Sequence, residues 1–252
     1  MNNYKNDFSY ESEKKLKDMF DNISEKYDII NNILSFGLDS FWRKNVIDIL
    51  KKFYVKRNYK HLKILDLASG TGELSFLLLN EFDGSKIIGL DPSKKMIKVA
   101  KKKLKKINNN YKNNISFIKG YSQNIPFDNE TFDIITISFG LRNFQFIHKS
   151  FKEMYRVIKS YGKLIILEFS KPNNIFFRNM YYLYNKLFMI KIGGFLSKNY
   201  CAYNYLNKSI YFFSFDEKRI KNIFQNENFI LINTKKLTFG IASIYFLEKN
   251  IN

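Results

Sequence analysis

Nothing in this chain constrains its fold more than the ten residues from Ile64 to Glu73, ILDLASGTGE. An apolar run of strand character passes through a glycine-rich turn into a helix. Gly70 and Gly72 can take backbone conformations closed to other residues, so a ligand can approach the main chain at the helix N-terminus. The next apolar run ends at Asp91, about 20 residues on, where a carboxylate can accept hydrogen bonds from both hydroxyls of a ribose. Together these two features describe an adenosine site in a βαβ unit.

Which adenosine ligand fits depends on the residues that follow. A dinucleotide fingerprint needs a third glycine where Ser75 stands, and no Gly-Lys-Ser/Thr follows to complete a Walker loop. What remains is a G-x-G turn with Asp66 just before it. That arrangement suits a cofactor with a carboxylate and an ammonium group in place of a pyrophosphate, which is S-adenosylmethionine. A glycine turn of purely structural use is the competing reading.

The flanking sequence extends the βαβ rhythm. Strand character at Lys63–Leu67, Lys86–Leu90, Ile115–Lys119, Phe132–Ser138 and Lys163–Phe169 alternates with helical spacing after Gly72, from Ser93 and over about His148–Ser160. Ahead of it, Leu16, Phe20, Ile23 and Tyr27 mark a helix from Glu11 to about Asn32. After Pro172 the rhythm changes to an aromatic helical run, Ile175–Leu196. The chain closes with a helix near Asp216–Gln225 and two strand-like runs, Phe229–Leu237 and Ile241–Leu247, around a Gly240 turn. The expected architecture is one α/β unit with helices on both faces of a mainly parallel seven-stranded sheet that ends in an antiparallel hairpin. Within it, residues 1–60 form a helical arm, 61–172 the cofactor-binding core, 173–215 a helical cap and 216–252 the closing helix and hairpin.

Composition narrows the function classes. The formal charge of +19 admits a nucleic acid, an anionic membrane surface or simple bias as its cause. Bias is favoured, because Lys101, Lys102, Lys103, Lys105 and Lys106 fall mostly outside the apolar stripe of Met96, Ile97, Ala100, Leu104 and Ile107, on a solvated helix face. The single cysteine, Cys201, excludes an intrachain disulfide and fits a reducing compartment. No apolar run reaches the roughly 18 residues of a membrane helix. Asp7, Glu11 and Glu13 make the N-terminus unlike a targeting peptide, so a bacterial cytoplasmic protein is the simplest expectation. No His/Cys/carboxylate cluster has metal spacing.

Several further strings carry a resemblance: MFDNISEKYD (Met19–Asp28), SFGL (Ser35–Leu38) with Trp42 and Arg43, ITISFGLRN (Ile135–Asn143), MYRV (Met154–Val157) and LEFSKP (Leu167–Pro172). With these, the chain closely resembles the ubiquinone/menaquinone biosynthesis C-methyltransferase family over nearly its whole length. The resemblance implies a class I S-adenosylmethionine-dependent methyltransferase fold, with cofactor contacts at Thr71, Asp91, the pair Tyr121 and Ser122, and Ser138, beside Asp66, Gly70 and Gly72 of the loop. Tyr121 departs from the Asp or Asn usual in the family, and Ser160-Tyr161-Gly162 replaces its usual Lys-Pro-Gly turn. The implied substrate is a prenylated quinol. The run from Leu237 to Tyr245 looks like members from menaquinone-using bacteria, which favours demethylmenaquinol over a methoxybenzoquinol.

The chemistry of such a reaction asks for specific groups. Methylation of a ring carbon needs an electron-rich quinol, and ionising a hydroxyl with a pKa near 10 pushes density onto the neighbouring carbon. Arg142 is the candidate cation and Asn143 the candidate hydrogen-bonding group, with Tyr27 and Asp28 lining the quinol pocket; a plain ion pair with a carboxylate is the other role open to Arg142. His61 reads as a surface residue and His148 as a helix-start residue before a catalytic one. The stripe of Phe176, Met180, Leu183, Leu187 and Phe188 is expected to cover the prenyl tail and touch the membrane peripherally, with core packing as the alternative. RNA as a partner would call for basic residues interleaved with exposed aromatics and an added module, neither of which is visible. A non-catalytic binding subunit of the same fold is the remaining alternative, and a homodimer is left open.

Overall fold

Alternation of apolar side chains along five parallel strands builds the centre of the molecule. A computed structural model describes residues 10–54, 61–107, 109–212 and 217–251. In chain order the elements are α1 (Tyr10–Ile23), α2 (Tyr27–Leu34), α3 (Leu38–Tyr54), β1 (Lys63–Leu67), α4 (Glu73–Glu81), β2 (Lys86–Asp91), α5 (Lys94–Lys105), α6 (Asn109–Lys112), β3 (Ile115–Lys119) and β4 (Phe132–Ser138). They continue with α7 (Ile147–Val157), β5 (Ile158–Phe169), α8 (Ile175–Tyr184), α9 (Ile190–Ser197), α10 (Tyr200–Phe212), α11 (Glu217–Asn226), β6 (Phe229–Leu237) and β7 (Ala242–Lys249).

The sheet order is β3-β2-β1-β4-β5-β7-β6, with β7 antiparallel to both of its neighbours and the other pairs parallel. Ile64, Ile134, Ile165 and Leu167 face one side, under Val46 and Leu50 of α3, Leu78 of α4 and Ile97 of α5. Leu65, Ile135, Leu164 and Ile166 face the other, against Phe151 and Met154 of α7 and Phe224 of α11. The expected two-faced seven-stranded architecture is therefore observed. Strand order reverses between β1 and β4, and their carboxyl ends open the crevice in which an α/β sheet takes its ligand.

Four local expectations are corrected. The first helix breaks into α1 and α2, because the Ser24 hydroxyl donates to the Asp21 carbonyl and competes with the helical ladder. Helix α7 ends at Val157, and the expected Ser160–Gly162 turn lies inside β5, which starts at Ile158. There Tyr161 has φ 61° and the register against β4 slips, so the segment is a bulge; a Cβ on Gly162 would stand 2.5 Å from the Ile158 side chain. The run Ile175–Leu196 is interrupted by a π-helical turn, Asn185–Met189, and the helical cap expected over 173–215 continues after it with α10. Finally, β7 starts one residue later than the expected run and continues to Lys249. Asp7 and Asp216 lie outside the described residues.

Glycine decides how α9 meets α10. A Cβ on Gly193 would lie 2.3 Å from the Tyr203 ring and one on Gly194 2.2 Å from the Tyr200 ring, so only hydrogen at these sites lets the two helices close. Met189, Ala202 and Tyr203 of the cap share a small core with Ile23, Ile30 and Leu34 of the arm. Arm and cap thereby form one roof over the crevice.

Candidate active site

The loop after β1 is held by backbone geometry and by two buried carboxylates. Ala68, Gly70 and Gly72 have φ of 58°, 56° and 85°; a Cβ on Gly72 would stand 2.7 Å from the Phe117 ring, while Gly70 faces open space. Asp66 accepts from the hydroxyls of Ser75 and, at 3.0 Å, of Thr136. It ties α4 to the sheet behind the loop, and Ser75 does this from the place where a dinucleotide fingerprint would have glycine. Asp91 accepts from the amides of Gly70 at 2.9 Å and Ser93 at 2.8 Å. Burial pushes both carboxyls up to about 6, against their bonds to Ser75 and Thr136 for Asp66 and to Ser93 and Gly70 for Asp91.

The arm is strapped across this loop. Thr71 donates its hydroxyl to Asp28 at 2.5 Å, Lys103 joins Asp28 at 2.7 Å and Glu73, and Asp21 accepts from the Ser93 hydroxyl and the Lys95 amide. Lys103 is thus drawn out of the solvated lysine face into the strap. At the far end, Gln123 donates to Glu13, Ser122 bonds to Ser150 at 2.8 Å, and Lys119 lies over the Tyr121 ring.

Beyond β4 the chain turns back through a short 3-10 helix, Leu141–Asn143, which carries the second cluster. Arg142 is 5% exposed; its Nη1 donates to Glu168 Oε1 and to the Phe139 carbonyl, both at 2.6 Å, and its guanidinium lies over the Phe169 ring. Of the two roles weighed for Arg142, the ion pair is present, with Glu168, while Nε has no hydrogen-bond partner. Asn143 Oδ1 accepts from the Tyr205 hydroxyl at 3.0 Å. Tyr27 stands close enough to Arg142 for the cation to lower its pKa, although burial raises it further. Burial likewise raises Tyr181, Tyr203 and Tyr205.

Many of these groups border one cavity, whose empty space is about 1890 Å³ when the open mouth is counted. Its wall includes Asp66, Gly70, Thr71, Asp91, Tyr121, Ser122 and Ser138 toward the loop, and Tyr27, Arg142, Asn143, Tyr181, Asn185, Tyr203 and Tyr205 under the roof. Among the described residues, the buried side-chain polar atoms without a partner are Ser69 Oγ, Ser138 Oγ, Arg142 Nε, Gln145 Oε1, Asn185 Oδ1 and the Tyr203 hydroxyl, and every one belongs to this wall. Buried polar groups are normally satisfied, so their gathering here marks a surface built to be covered by polar ligands.

Comparison with known proteins gives this cavity its context. The model of the ubiE/COQ5 methyltransferase family matches residues 9–249. The chain belongs to that family. A demethylmenaquinone methyltransferase of Bacteroides fragilis is 36% identical over 94% of this chain and 93% of its own length. A ubiquinone/menaquinone biosynthesis C-methyltransferase of Campylobacter jejuni is 36% identical over 95% of this chain and 99% of its own. Among solved structures, an S-adenosylmethionine-dependent methyltransferase of Aquifex aeolicus superposes with a TM-score of 0.57 at 16% identity, covering 80% of this chain and 87% of that one, a likeness of fold.

As a member of the ubiE/COQ5 family the protein is a methyltransferase with S-adenosylmethionine as its cofactor. The residues present fit that group: the left-handed loop leaves Gly70 open, Asp91 keeps further lone pairs for a ribose, and the Ser69 and Ser138 hydroxyls lack partners. The structure places the other expected groups as follows. Asp66 lines the cavity and also holds the loop, with one hydroxyl donated to each of its oxygens. The stripe of Phe176, Met180, Leu183, Leu187 and Phe188 neither packs in the core nor lines the cavity; these side chains are 41–63% exposed, and the opposite side of the cap roofs the site. His148 pairs with Glu227 outside the cavity, and His61 is exposed. Sequence reasoning missed Ser75, Glu168, Asn185, Tyr203 and Tyr205. Of these only Ser75 left a signal, a hydroxyl one helical turn into α4.

Proposed function

We propose that the protein methylates a ring carbon of a prenylated quinol, in first place demethylmenaquinol. What carries this reading is a buried cation, Arg142, set with Asn143 and Tyr27 in the wall of the cavity that also holds the glycine loop. When bound, the cofactor supplies an electrophilic methyl group. Gly70, Thr71, Gly72, Asp91, Tyr121, Ser122 and Ser138 would hold it, and the roof excludes water from the ring.

The chain's own residues prepare the nucleophile. A quinol hydroxyl and a tyrosine share a pKa near 10 in water. Burial holds Tyr27 above that value even with Arg142 beside it, so Tyr27 stays protonated, while a quinol hydroxyl at Arg142 would release its proton to solvent through the cavity mouth and leave its oxygen to the cation. Arg142 Nε donates to the oxygen as charge collects, and Tyr27, still protonated, is a second donor. With Oδ1 engaged by Tyr205, Asn143 is left its NH2 group for the same oxygen.

The outward stripe gives the prenyl tail a route to its solvent. Phe36, Tyr184 and Phe188 form a chain of ring contacts from the turn between α2 and α3 to the cap, and Tyr184 also lines the cavity. From Ser170 to Phe212 the chain has six basic residues and no acidic one. An exposed apolar stripe on a segment with only basic charges fits peripheral seating on anionic lipid, with the cavity mouth toward the bilayer. Among the described residues no helix is long and apolar enough to cross a membrane.

The deciding experiment supplies labelled cofactor with demethylnaphthoquinols, methoxybenzoquinols and RNA. Label should enter the naphthoquinol fastest. A benzoquinol of equal tail length turned over faster would move the assignment to ubiquinone synthesis, and no labelled quinol at all would end the reading.

A further inference from the structure

One polar group in the cavity wall has no part in the chemistry above. Asn185 opens the π-helical turn between α8 and α9. Such a turn adds a residue to a helix and swings side chains out of helical register, often at functional sites. Here it brings an amide into a wall that Met189, from the same turn, keeps apolar. Asn185 is 4% exposed, and its Oδ1 has no hydrogen-bond partner. Its NH2 side faces the Tyr181 hydroxyl, whose pKa it draws down as a donor does.

An amide oxygen only accepts, so whatever completes this site must donate. A quinol hydroxyl does. A quinone carbonyl is itself an acceptor, and would set two oxygens against each other in a dry cavity. The distinction matters because quinone and quinol share skeleton and tail, so apolar contacts and shape cannot separate them, whereas a site built to bond a hydroxyl rejects the analogue without it. We infer that Asn185 makes the cavity selective for the reduced ring, its Oδ1 accepting from the quinol hydroxyl that stays protonated while Arg142 serves the oxygen that gains charge. The inference rests on the quinol reading given above.

Trp42 is the single tryptophan and lines the cavity, so its fluorescence reports ring binding directly. The test compares the dissociation constants of a short-tailed demethylnaphthoquinol, kept reduced, and of its quinone, for the wild type, Asn185→Leu and Asn185→Asp. The wild type should prefer the quinol by at least ~10-fold, the scale of a lost hydrogen bond in a buried site. Asn185→Leu should bring the ratio close to one with cofactor affinity unchanged, and Asn185→Asp, which keeps an acceptor, should preserve the preference. An unchanged ratio in the leucine variant, or equal loss in both variants, overturns the role of Asn185. If the wild type methylates the quinol yet binds both ring forms alike, this inference alone fails; if it binds neither, the proposed function fails with it.

Discussion

Arg142 and Glu168 are joined twice, through Nη1 to Oε1 at 2.6 Å and through the Arg142 amide to Oε2 at 3.2 Å, and neither side chain reaches solvent. Removing one partner leaves the other as an uncompensated buried charge. Arg142→Ala should therefore destabilise the protein by about 3–5 kcal/mol in urea unfolding, and adding Glu168→Gln should recover part of that loss. Arg142→Lys keeps the charge without the planar fork. We expect it to fold, to lose at least ~10-fold in kcat and to bind the cofactor unchanged. Lowered cofactor affinity with kcat intact would place Arg142 outside the chemistry.

Asp91 sets a pH dependence with two signs. Its carboxyl sits at about 6 in the folded protein against an ordinary 3.8, so the native state holds the proton more tightly than the unfolded chain. Without ligand, stability should fall as pH rises from about 4 to about 6, and Asp66 adds to the same slope. Cofactor affinity should run the other way, rising with pH to about 6 and then levelling, because ribose hydroxyls bond best to the ionised carboxylate. Asp91→Asn should flatten that rise, and Asp91→Ala should weaken binding by about 1–3 kcal/mol. Calorimetric titration across this range would show a flat wild-type profile if Asp91 is not a contact.

Gly193→Ala tests the roof. The added methyl would meet the Tyr203 ring at 2.3 Å, so α9 and α10 must part. Overpacking of this kind costs about 1–3 kcal/mol. The expected signature is a lower melting temperature and a raised KM for quinol, with a smaller effect on cofactor binding; equal effects on both ligands would show that the cap does not shape the ring pocket.

The outward stripe can be altered without touching the core. Replacing Phe176, Leu183 and Phe188 by serine should leave the melting temperature almost unchanged, since these side chains are 52–63% exposed. Flotation with anionic vesicles should drop sharply, and in the wild type it should weaken with added salt. Equal flotation of variant and wild type would remove the stripe from membrane seating.

The crevice was legible because its chemistry is local: the glycine turn, Asp66 and Asp91 fall on consecutive strand ends, and period-two runs place those ends on one edge of the sheet. The grouping of Tyr27, Arg142 and Asn143 is a different case. Tyr27 comes from α2 and the Arg142–Asn143 pair from the turn after β4, and only the resemblance put them together before the structure did. For the cap, helical spacing showed that one side is apolar but carried no information on what covers it, and the stripe turned out to face outward. Nor does any residue pattern announce the π-helical turn that aims Asn185 inward, or the pairing of Arg142 with Glu168, 26 positions later.

The strap has a consequence for tempo. Asp21 and Asp28 reach from the arm to Ser93 and Thr71, so the arm lifts off the loop only when those bonds break. The same two helices share their apolar underside with Met189, Ala202 and Tyr203, so lifting them uncovers the ring pocket too. Lifting the arm, far in sequence from Arg142, would therefore open the loop and the ring pocket in one movement.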